Sequence, residues 1–132
     1  MLLFDTSVWV DHFKAIGNPK SLQLGQLLLD GEKVFITPTI IQEALQGFSN
    51  PNYFDIAKIV LTRQQILDYH PVEAALAAAE LYASLRKIGV TIRKPNDCLI
   101  AAFALHFNSE LCHNDRDFDL IAAHTELKTW EE

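Results

Sequence analysis

Short apolar segments alternate with helix-forming segments along this chain of 132 residues, and this alternation restricts its fold more than any other feature. Four segments have the length and the apolar or β-branched character of strands. They are MLLFD (1–5), KVFIT (33–37), QQILDY (64–69) and ELCHN (110–114). At least one helix is predicted between each strand and the next, as the crossover between parallel strands requires. The pattern therefore predicts an α/β fold with a mostly parallel central sheet.

The predicted helices are delimited by hydroxyl or amide residues, prolines and glycines, which are common at helix ends. We predict helices over about 8–15, 21–31, 38–47, from the loop SNPNYFD (49–55) through about Leu61, and over 71–89, 97–107 and 116–124. The last segment, ELKTWE (126–131), is interpreted as a final edge strand. The sequence contains no internal repeat or low-complexity linker, so residues 1–132 are predicted to form a single domain.

The composition is that of a folded globular protein, with 49% hydrophobic and 21% charged residues. The net charge of −6 argues against a protein that coats nucleic acid nonspecifically, but it is compatible with a nuclease whose own carboxylates add to the total. No apolar stretch is long enough to span a bilayer and no secretory signal is present, so we predict a cytoplasmic protein with no membrane partner. Cys98 and Cys112 form neither a zinc-ligand nor a disulfide pattern and are predicted to be buried.

Carboxylates stand at four separate places where a predicted strand ends or a predicted helix lies near a strand end. They are Asp5, Glu43, Asp97, and the pair Asp115 and Asp117. In open parallel sheets, functional groups collect beyond the carboxyl ends of the strands. Metal-dependent phosphoryl chemistry needs several carboxylates in one small site, and such a site is what these positions predict if the fold brings them together.

Each carboxylate also has an ordinary structural interpretation. Asp5 and Asp97 each precede or begin a helix and are suited to capping it. Glu43 is most simply a glutamate that faces solvent. Asp115 and Asp117 lie in a polar turn, where aspartates form local hydrogen bonds. Taken one at a time, these positions do not distinguish a site from local structure.

Four blocks of sequence carry a resemblance to a known family. They are MLLFDTSVWVD (1–11), IIQEALQG (40–47), KPNDCLIAAFAL (94–105) and CHNDRDFDLI (112–121). In order and spacing they closely resemble the four signature blocks of the PIN domain, and the chain as a whole resembles a VapC-type toxin of a bacterial or archaeal toxin–antitoxin pair. The resemblance covers essentially the whole chain. It implies a three-layer α/β/α PIN-like fold with a mostly parallel central sheet.

The resemblance also assigns roles to the carboxylates. The first aspartate of the family falls on Asp5, its helix glutamate on Glu43, its third acidic residue on Asp97 and its fourth on Asp115. These four are the predicted catalytic residues, and together with Asp117 they are the predicted metal ligands. Asp5 and Asp97 are the first choices as ligands, and the division of roles between Asp115 and Asp117 stays open.

Carboxylates that lie close together repel one another, and Mg²⁺ or Mn²⁺ relieves the repulsion because these cations prefer oxygen ligands. A metal-bound water can then attack a phosphodiester. The resemblance implies an endoribonuclease toxin that acts on RNA, is neutralised by a VapB-type antitoxin and forms a homodimer. Basic residues that could guide RNA, or could equally be solvated surface charges, are Lys14, Lys20, Arg86, Lys87, Arg93, Lys94 and Arg116.

Other functions remain as alternatives. A PIN-like fold could serve mainly as a protein-binding module, or as an RNA-processing nuclease without a toxin role. A haloacid-dehalogenase-type phosphatase is disfavoured because Ser7 stands where a second aspartate is needed. A receiver domain is disfavoured because the first strand lacks paired acids at its end. His113 lies near the acidic turn, where a structural role is favoured over contact with a phosphate.

Overall fold

The computed structural model describes residues 1–131, so that Glu132, the last residue of the predicted domain, lies outside the described residues. The described chain forms four strands and seven helices in an alternating order. They are β1 (Leu2–Phe4), α1 (Thr6–Phe13), α2 (Pro19–Leu29), β2 (Phe35–Ile36), α3 (Pro38–Gln46), α4 (Pro51–Thr62), β3 (Gln65–Ile66), α5 (Pro71–Lys87), α6 (Pro95–His106), β4 (Glu110–Cys112) and α7 (Arg116–His124).

The strands form a parallel sheet in the order β3-β2-β1-β4. The central strand β1 pairs Leu3 with Phe35 of β2 and Phe4 with Cys112 of β4. Leu3 and Phe4 are both fully buried, since helices cover a parallel sheet on its two faces. The predicted three-layer α/β fold with a mostly parallel central sheet is confirmed. Because β1 lies beside β4, the residues that follow these two strands emerge side by side.

Proline sets the start of five of the helices in the described chain. Each proline of the sequence is the first residue of a helix, where its missing N–H costs no hydrogen bond and its fixed φ suits the helix. These residues are Pro19, Pro38, Pro51, Pro71 and Pro95. Three of them follow an asparagine or threonine whose side chain accepts a hydrogen bond from the first helical turn. Helix starts are therefore fixed by local sequence, independently of core packing.

Helix α6 is the most deeply buried helix of the fold. It contacts α3, α5, α7 and β4, and most of the residues from Asp97 to Ala104 are buried. A helix that is apolar on nearly all sides belongs in the interior. The helix is therefore held on several sides, and the buried Asp97 in its first turn has a fixed position.

Two helix starts differ from the sequence predictions. Helix α1 begins at Thr6, two residues before the predicted start at about residue 8, and Asp5 caps it. Helix α6 begins at Pro95, two residues before Asp97. The ends of α2 and α5 are close to those predicted, and Gly31 (φ 69°) and Gly89 (φ 84°) adopt the left-handed conformation that glycine tolerates after a helix.

The prediction of a final strand over ELKTWE (126–131) is wrong. This segment makes an isolated parallel bridge between Leu111 and Thr129, with hydrogen bonds from Leu111 N to Lys128 O (2.8 Å) and from Trp130 N to Leu111 O (2.9 Å). The neighbouring strand β4 is only three residues long, and within the segment only Leu127 is buried, so little apolar surface holds a longer pairing in place. None of the helices in the described chain combines the length and apolar character that crossing a bilayer requires.

Candidate active site

Asp5 is placed by the end of β1 and the start of α1. Its backbone N–H donates to Cys112 O (2.9 Å), which ties it to the end of β4. Its Oδ2 accepts hydrogen bonds from Ser7 N (3.1 Å) and Ser7 Oγ (2.7 Å), and its side chain caps α1. Its other oxygen, Oδ1, is buried and has no hydrogen-bond partner among residues 1–131. Asp5 is thus a helix cap with one carboxylate oxygen left over, so the structural interpretation and the functional one are compatible.

Asp97 lies in the first turn of α6 and is 3% exposed. Its backbone N–H donates to Lys94 O (2.9 Å), but Lys94, not Asp97, is the capping residue of the helix. The capping interpretation of Asp97 is therefore wrong, because the proline two residues earlier starts the helix. The side-chain atom Oδ2 is buried without a hydrogen-bond partner in the described part of the chain. A buried, unpartnered carboxylate oxygen is costly unless a cation or proton satisfies it.

Asp115 and Asp117 are placed by the start of α7. Asp115 caps the helix, and its Oδ1 accepts from Asp117 N (3.0 Å). Asp117 is 2% exposed, with Oδ1 3.6 Å from Arg93 Nε and Oδ2 unpartnered within residues 1–131. Asp97, Asp115 and Asp117 each offer one ligand atom within 4.8 Å of those of the other two, a spacing that a metal ion can bridge. Asp117 therefore belongs to the tightest acidic group, although Asp5 and Asp97 were the first choices as ligands from the sequence.

Glu43 projects from α3 towards the same region. Its side chain is half-buried, and its Oε1 accepts a hydrogen bond from Thr6 Oγ1 at 2.8 Å. It is therefore tied to the start of α1 instead of standing free in solvent as the simplest interpretation had it. Glu43 does not belong to the group of three aspartates, and neither does Asp5.

A cavity of about 310 Å³ connects these side chains. Its lining includes four of the five predicted site residues, Asp5, Glu43, Asp97 and Asp115. The fifth, Asp117, lines a neighbouring hollow of about 440 Å³ that also contains Arg93 and Arg116. The structure thus brings four predicted residues to one cavity. Asp117 lies outside that lining, but one of its carboxylate oxygens is within 4.8 Å of oxygens of Asp97 and Asp115.

The two deeply buried carboxyl groups of the cavity have raised pKa values. Burial raises the pKa of Asp5 to about 6, although the hydrogen bonds from Ser7 and Thr6 oppose the rise and nearby Glu43 adds to it. The pKa of Asp97 rises to about 8, first through burial and then through the charges of Asp115 and Asp5. Without a bound cation Asp97 is therefore largely protonated at neutral pH. Carboxyl groups held this close together favour the binding of a cation, which relieves their repulsion.

Asp115 differs from its neighbours in carrying its charge more readily. Burial alone would raise the pKa of Asp115, but the hydrogen bond from Asp117 N and the nearby Lys94 ammonium outweigh it and lower the pKa below its ordinary value. Lys94 Nζ lies 3.3 Å from Asp115 Oδ2. Asp97 and Asp115 are thus a pair in which one carboxyl group holds a proton and the other holds a charge.

Several supporting residues were not predicted from the sequence. Ser7 Oγ accepts from Asn114 N (2.9 Å), which joins the loop after β4 to the residue that holds Asp5. Asn114 Nδ2 also donates to Asp11 Oδ2 (3.0 Å), an oxygen that accepts from Asn18 Nδ2 as well (2.8 Å). The available signal for Asn114 was its position just past β4, directly before an acidic site residue. These contacts hold the loop after β4 in position and give Asn114 no direct part in the reaction.

His113 and the two cysteines have structural environments. His113 is buried, its Nδ1 accepts from Asp115 N (3.1 Å), and burial lowers its pKa. It therefore orients the backbone of the acidic turn, in agreement with the role favoured from sequence. Cys98 and Cys112 are free and buried, as predicted, and burial raises the pKa of their thiols to about 11 and about 12. Neither thiol is a nucleophile at neutral pH.

The donor set and its burial fit a hard divalent cation. All the candidate ligand atoms are carboxylate oxygens, and three of them, one each on Asp5, Asp97 and Asp117, are buried without a hydrogen-bond partner among the described residues. Mg²⁺ and Mn²⁺ prefer such ligands, whereas zinc sites usually include histidine or cysteine. The acidic group can therefore hold a divalent metal.

Comparisons with known proteins agree with this architecture. The family model described as PIN domain matches residues 2–124. A VapC ribonuclease of Mycobacterium bovis and ribonuclease VapC11 of Mycobacterium tuberculosis are each 33% identical over 129 residues, which cover 97% of this chain and 96% of theirs.

Solved structures with the same fold include DNA-bound VapBC from Salmonella typhimurium (TM-score 0.77, 19% identity) and VapBC2 from Rickettsia felis bound to a promoter DNA fragment (TM-score 0.73, 20% identity). Each match covers 98% of this chain and 96% of the other. At these identities the likeness establishes the shared fold.

Proposed function

The chain belongs to the PIN domain family and to its VapC branch, and from this premise we propose that it is a metal-dependent endoribonuclease and the toxin of a toxin–antitoxin pair. The observation that carries the proposal is one cavity whose carboxylates include buried oxygens without partners in the described chain. Asp5, Glu43, Asp97 and Asp115 are the proposed catalytic residues. These four and Asp117 are the proposed metal ligands, and residues 1–132 act as a single domain.

The proposed chemistry is hydrolysis of an RNA phosphodiester bond. Mg²⁺ or Mn²⁺, when bound, supplies an acidified water and neutralises charge on the phosphate. Asp97, Asp115 and Asp117 hold the ion, because their oxygens already lie within 4.8 Å of one another. Asp5 presents its free Oδ1 to the same cavity while Ser7 fixes the other oxygen. Glu43, which lines the cavity and is held by Thr6, would orient the attacking water.

The choice of RNA as substrate and of a VapB-type antitoxin as partner rests on the relatives. The two mycobacterial proteins, 33% identical over nearly their whole length, are named as ribonucleases, and the structural relatives were solved as VapBC assemblies. We propose further, from membership of the family, that the protein acts in the cytoplasm, forms a homodimer and is neutralised by a small antitoxin that covers the carboxylate cavity. A nuclease that processes RNA without a toxin role would share the site but would not arrest growth.

Cleavage of single-stranded RNA by the purified protein tests the proposal. Wild type is assayed with Mg²⁺, with Mn²⁺ and with excess EDTA, beside Asp5→Asn and Asp97→Asn, which keep the shape of each side chain and remove its charge. Asp55→Asn, on the exposed surface of α4, is the matched control. We expect cleavage by wild type and the control only when metal is present, and a loss of cleavage in both site variants.

Equal cleavage by wild type and both site variants would overturn the assignment of the site. Absence of metal-dependent cleavage from wild type, together with tight binding of an antitoxin-like protein, would favour the protein-binding module instead. Induced expression in a bacterial host separates the remaining alternative. Growth arrest by wild type but not by Asp97→Asn supports the toxin role, and normal growth with an active nuclease supports RNA processing.

A further inference from the structure

Lys94 is the one cationic side chain among the described residues that line the carboxylate cavity. It occupies the N-cap position of α6 without a capping hydrogen bond from its side chain, and its Nζ lies 3.3 Å from Asp115 Oδ2. The lysine side chain is 60% exposed, whereas that of Asp115 is 12% exposed. The ammonium group therefore lies at the mouth of the cavity, and its partner lies inside. An ion pair with one exposed member is weak, so the ammonium can leave its partner at small cost.

The ion pair occupies a carboxylate that a metal would also need. Both oxygens of Asp115 already accept hydrogen bonds, Oδ1 from Asp117 N and Oδ2 from Lys94. By contrast, Asp97 and Asp117 each keep one buried oxygen without a partner within the described residues. A divalent cation bound among the three aspartates would lie close to the ammonium group and repel it. The metal and Lys94 cannot both stay at Asp115 without a large Coulombic cost.

The backbone of Lys94 is anchored to helix α6. Its carbonyl accepts a hydrogen bond from Asp97 N at 2.9 Å, within the first turn of the buried helix α6. Any movement is therefore confined to the flexible side chain. An ammonium group released from Asp115 remains at the mouth of the cavity, where a phosphate approaching a bound metal would pass.

We propose that Lys94 is a resident cation, that a divalent metal displaces its ammonium group from Asp115, and that the displaced group then binds a phosphate of the RNA. This inference rests on the proposed function, which supplies the metal and the RNA. In this proposal Lys94 competes with the divalent metal for Asp115 and binds the RNA through a phosphate. Replacing Lys94 with an uncharged side chain should therefore change the two affinities in opposite directions.

Arg93 provides the matched comparison. It is the preceding residue, it carries the same charge, its side chain is equally exposed, and its Nε lies 3.6 Å from Asp117 Oδ1. It lines the neighbouring hollow and not the carboxylate cavity. A general effect of removing positive charge near the site would appear in both Arg93→Met and Lys94→Met, whereas direct competition at Asp115 predicts a larger effect of Lys94→Met.

The first experiment measures Mn²⁺ affinity by isothermal titration calorimetry for wild type, Lys94→Met, Arg93→Met and Lys58→Met, a control on the exposed surface of α4. We expect Lys94→Met to bind Mn²⁺ about two- to fivefold more tightly, which corresponds to the strength of an exposed ion pair. Unchanged or weaker binding by Lys94→Met would overturn the inference, as would an equal gain in Arg93→Met. If wild type binds no Mn²⁺, the proposed function itself fails and this inference fails with it.

The second experiment measures binding of a fluorescein-labelled single-stranded RNA oligonucleotide by anisotropy in Ca²⁺ buffer, with a gel to check that the RNA stays intact. Lys94→Met should bind the RNA more weakly, and the slope of log affinity against log salt should fall by about 0.7, the value for one lost phosphate contact with a single strand. Lys94→Arg, which keeps the charge, should restore the slope. A slope in Lys94→Met equal to that of wild type and Lys58→Met would contradict the second half of the proposal.

Discussion

Both halves of the central sheet carry an aspartate shortly after a strand, but the two halves differ in what surrounds that aspartate. In one half, β1 and β4 are followed by Asp5 and Asp115, which line one cavity between the starts of α1, α6 and α7. In the other half, β3 is followed by Asp68, which is exposed and lies outside that cavity. An aspartate after a strand becomes part of a site only where a buried strand and the starts of several helices meet. Whether such an aspartate belongs to a site therefore depends more on which strand it follows than on the strand-then-aspartate motif itself.

The largest difference between the two halves should appear when one aspartate of the cavity and the aspartate after β3 are each replaced by asparagine. Asp97→Asn should lower the rate of metal-dependent RNA cleavage at least ~100-fold, because it removes a charge that holds the metal. Asp68→Asn should leave the rate within about twofold of wild type, since it changes only an exposed charge. Rates are measured with one RNA oligonucleotide under saturating Mn²⁺. Similar losses in both variants would remove the distinction between the two halves.

A second effect concerns the dependence of stability on pH. The folded protein holds protons on Asp97 (pKa about 8) and Asp5 (pKa about 6) more tightly than the unfolded chain, where both groups have pKa values near 3.8. The unfolded state therefore binds fewer protons between pH 4 and pH 8, and these two groups make stability fall as pH rises through that window. Thermal unfolding in EDTA, followed by circular dichroism, measures the trend.

Asp97→Asn isolates the contribution of one group to this trend, because other groups titrate in the same range. The metal-free variant should lose less stability than wild type between pH 5 and pH 8, and it should melt at a higher temperature at pH 8. Asp68→Asn should follow wild type. Mg²⁺ should raise the melting temperature of wild type more at pH 8 than at pH 5, since protons compete with the metal for the carboxylates at low pH. Parallel pH profiles for wild type and Asp97→Asn would contradict the raised pKa.

A smaller effect is expected from the hydroxyl group that holds Asp5. Ser7 Oγ donates to Asp5 Oδ2 and accepts from Asn114 N, so Ser7→Ala removes both bonds, although Asp5 Oδ2 keeps the hydrogen bond from Ser7 N. We expect a loss of about 1–2 kcal/mol in the free energy of unfolding and about tenfold in cleavage rate. Ser84, on the exposed surface of α5, is the matched control, because its hydroxyl group donates only to Leu81 O of the same helix. Ser84→Ala should cost less than about 0.5 kcal/mol and leave cleavage unchanged; urea denaturation and the same RNA assay measure both variants.

The alternation of strands and helices was predictable because it depends on local sequence. Prolines and capping residues fix the helix starts, and the apolar run of β1 identifies a strand covered on both faces. The final strand predicted over 126–131 could not be tested against local sequence alone, since it depends on pairing with β4. Because β4 has only three residues, the pairing is limited to a single bridge. Segments with weak local preference take their structure from neighbours that are distant in sequence.

The candidate site was predictable in its membership but not in its internal arrangement. The strand ends and the resemblance identified five carboxylates, and four of them line one cavity. All five were predicted as metal ligands, but the closeness of Asp97, Asp115 and Asp117 within that set was not predicted, because it depends on how α7 begins against α6. The pairing of Lys94 with Asp115 could not be predicted either, since 21 residues separate them and the contact forms only in the folded chain.

The order of the strands has a consequence for the synthesis of this protein. The central strand β1 is made first, yet one of its two neighbours is β4, the last strand of the described chain, which pairs Leu2 with Glu110. Asp5 therefore has neither Asp115 nor Asp117 beside it until the segment from β4 to the start of α7 has been translated. A nascent chain cannot assemble the proposed nuclease site, so the ribosome that makes it is exposed to the activity only after the last helix has emerged.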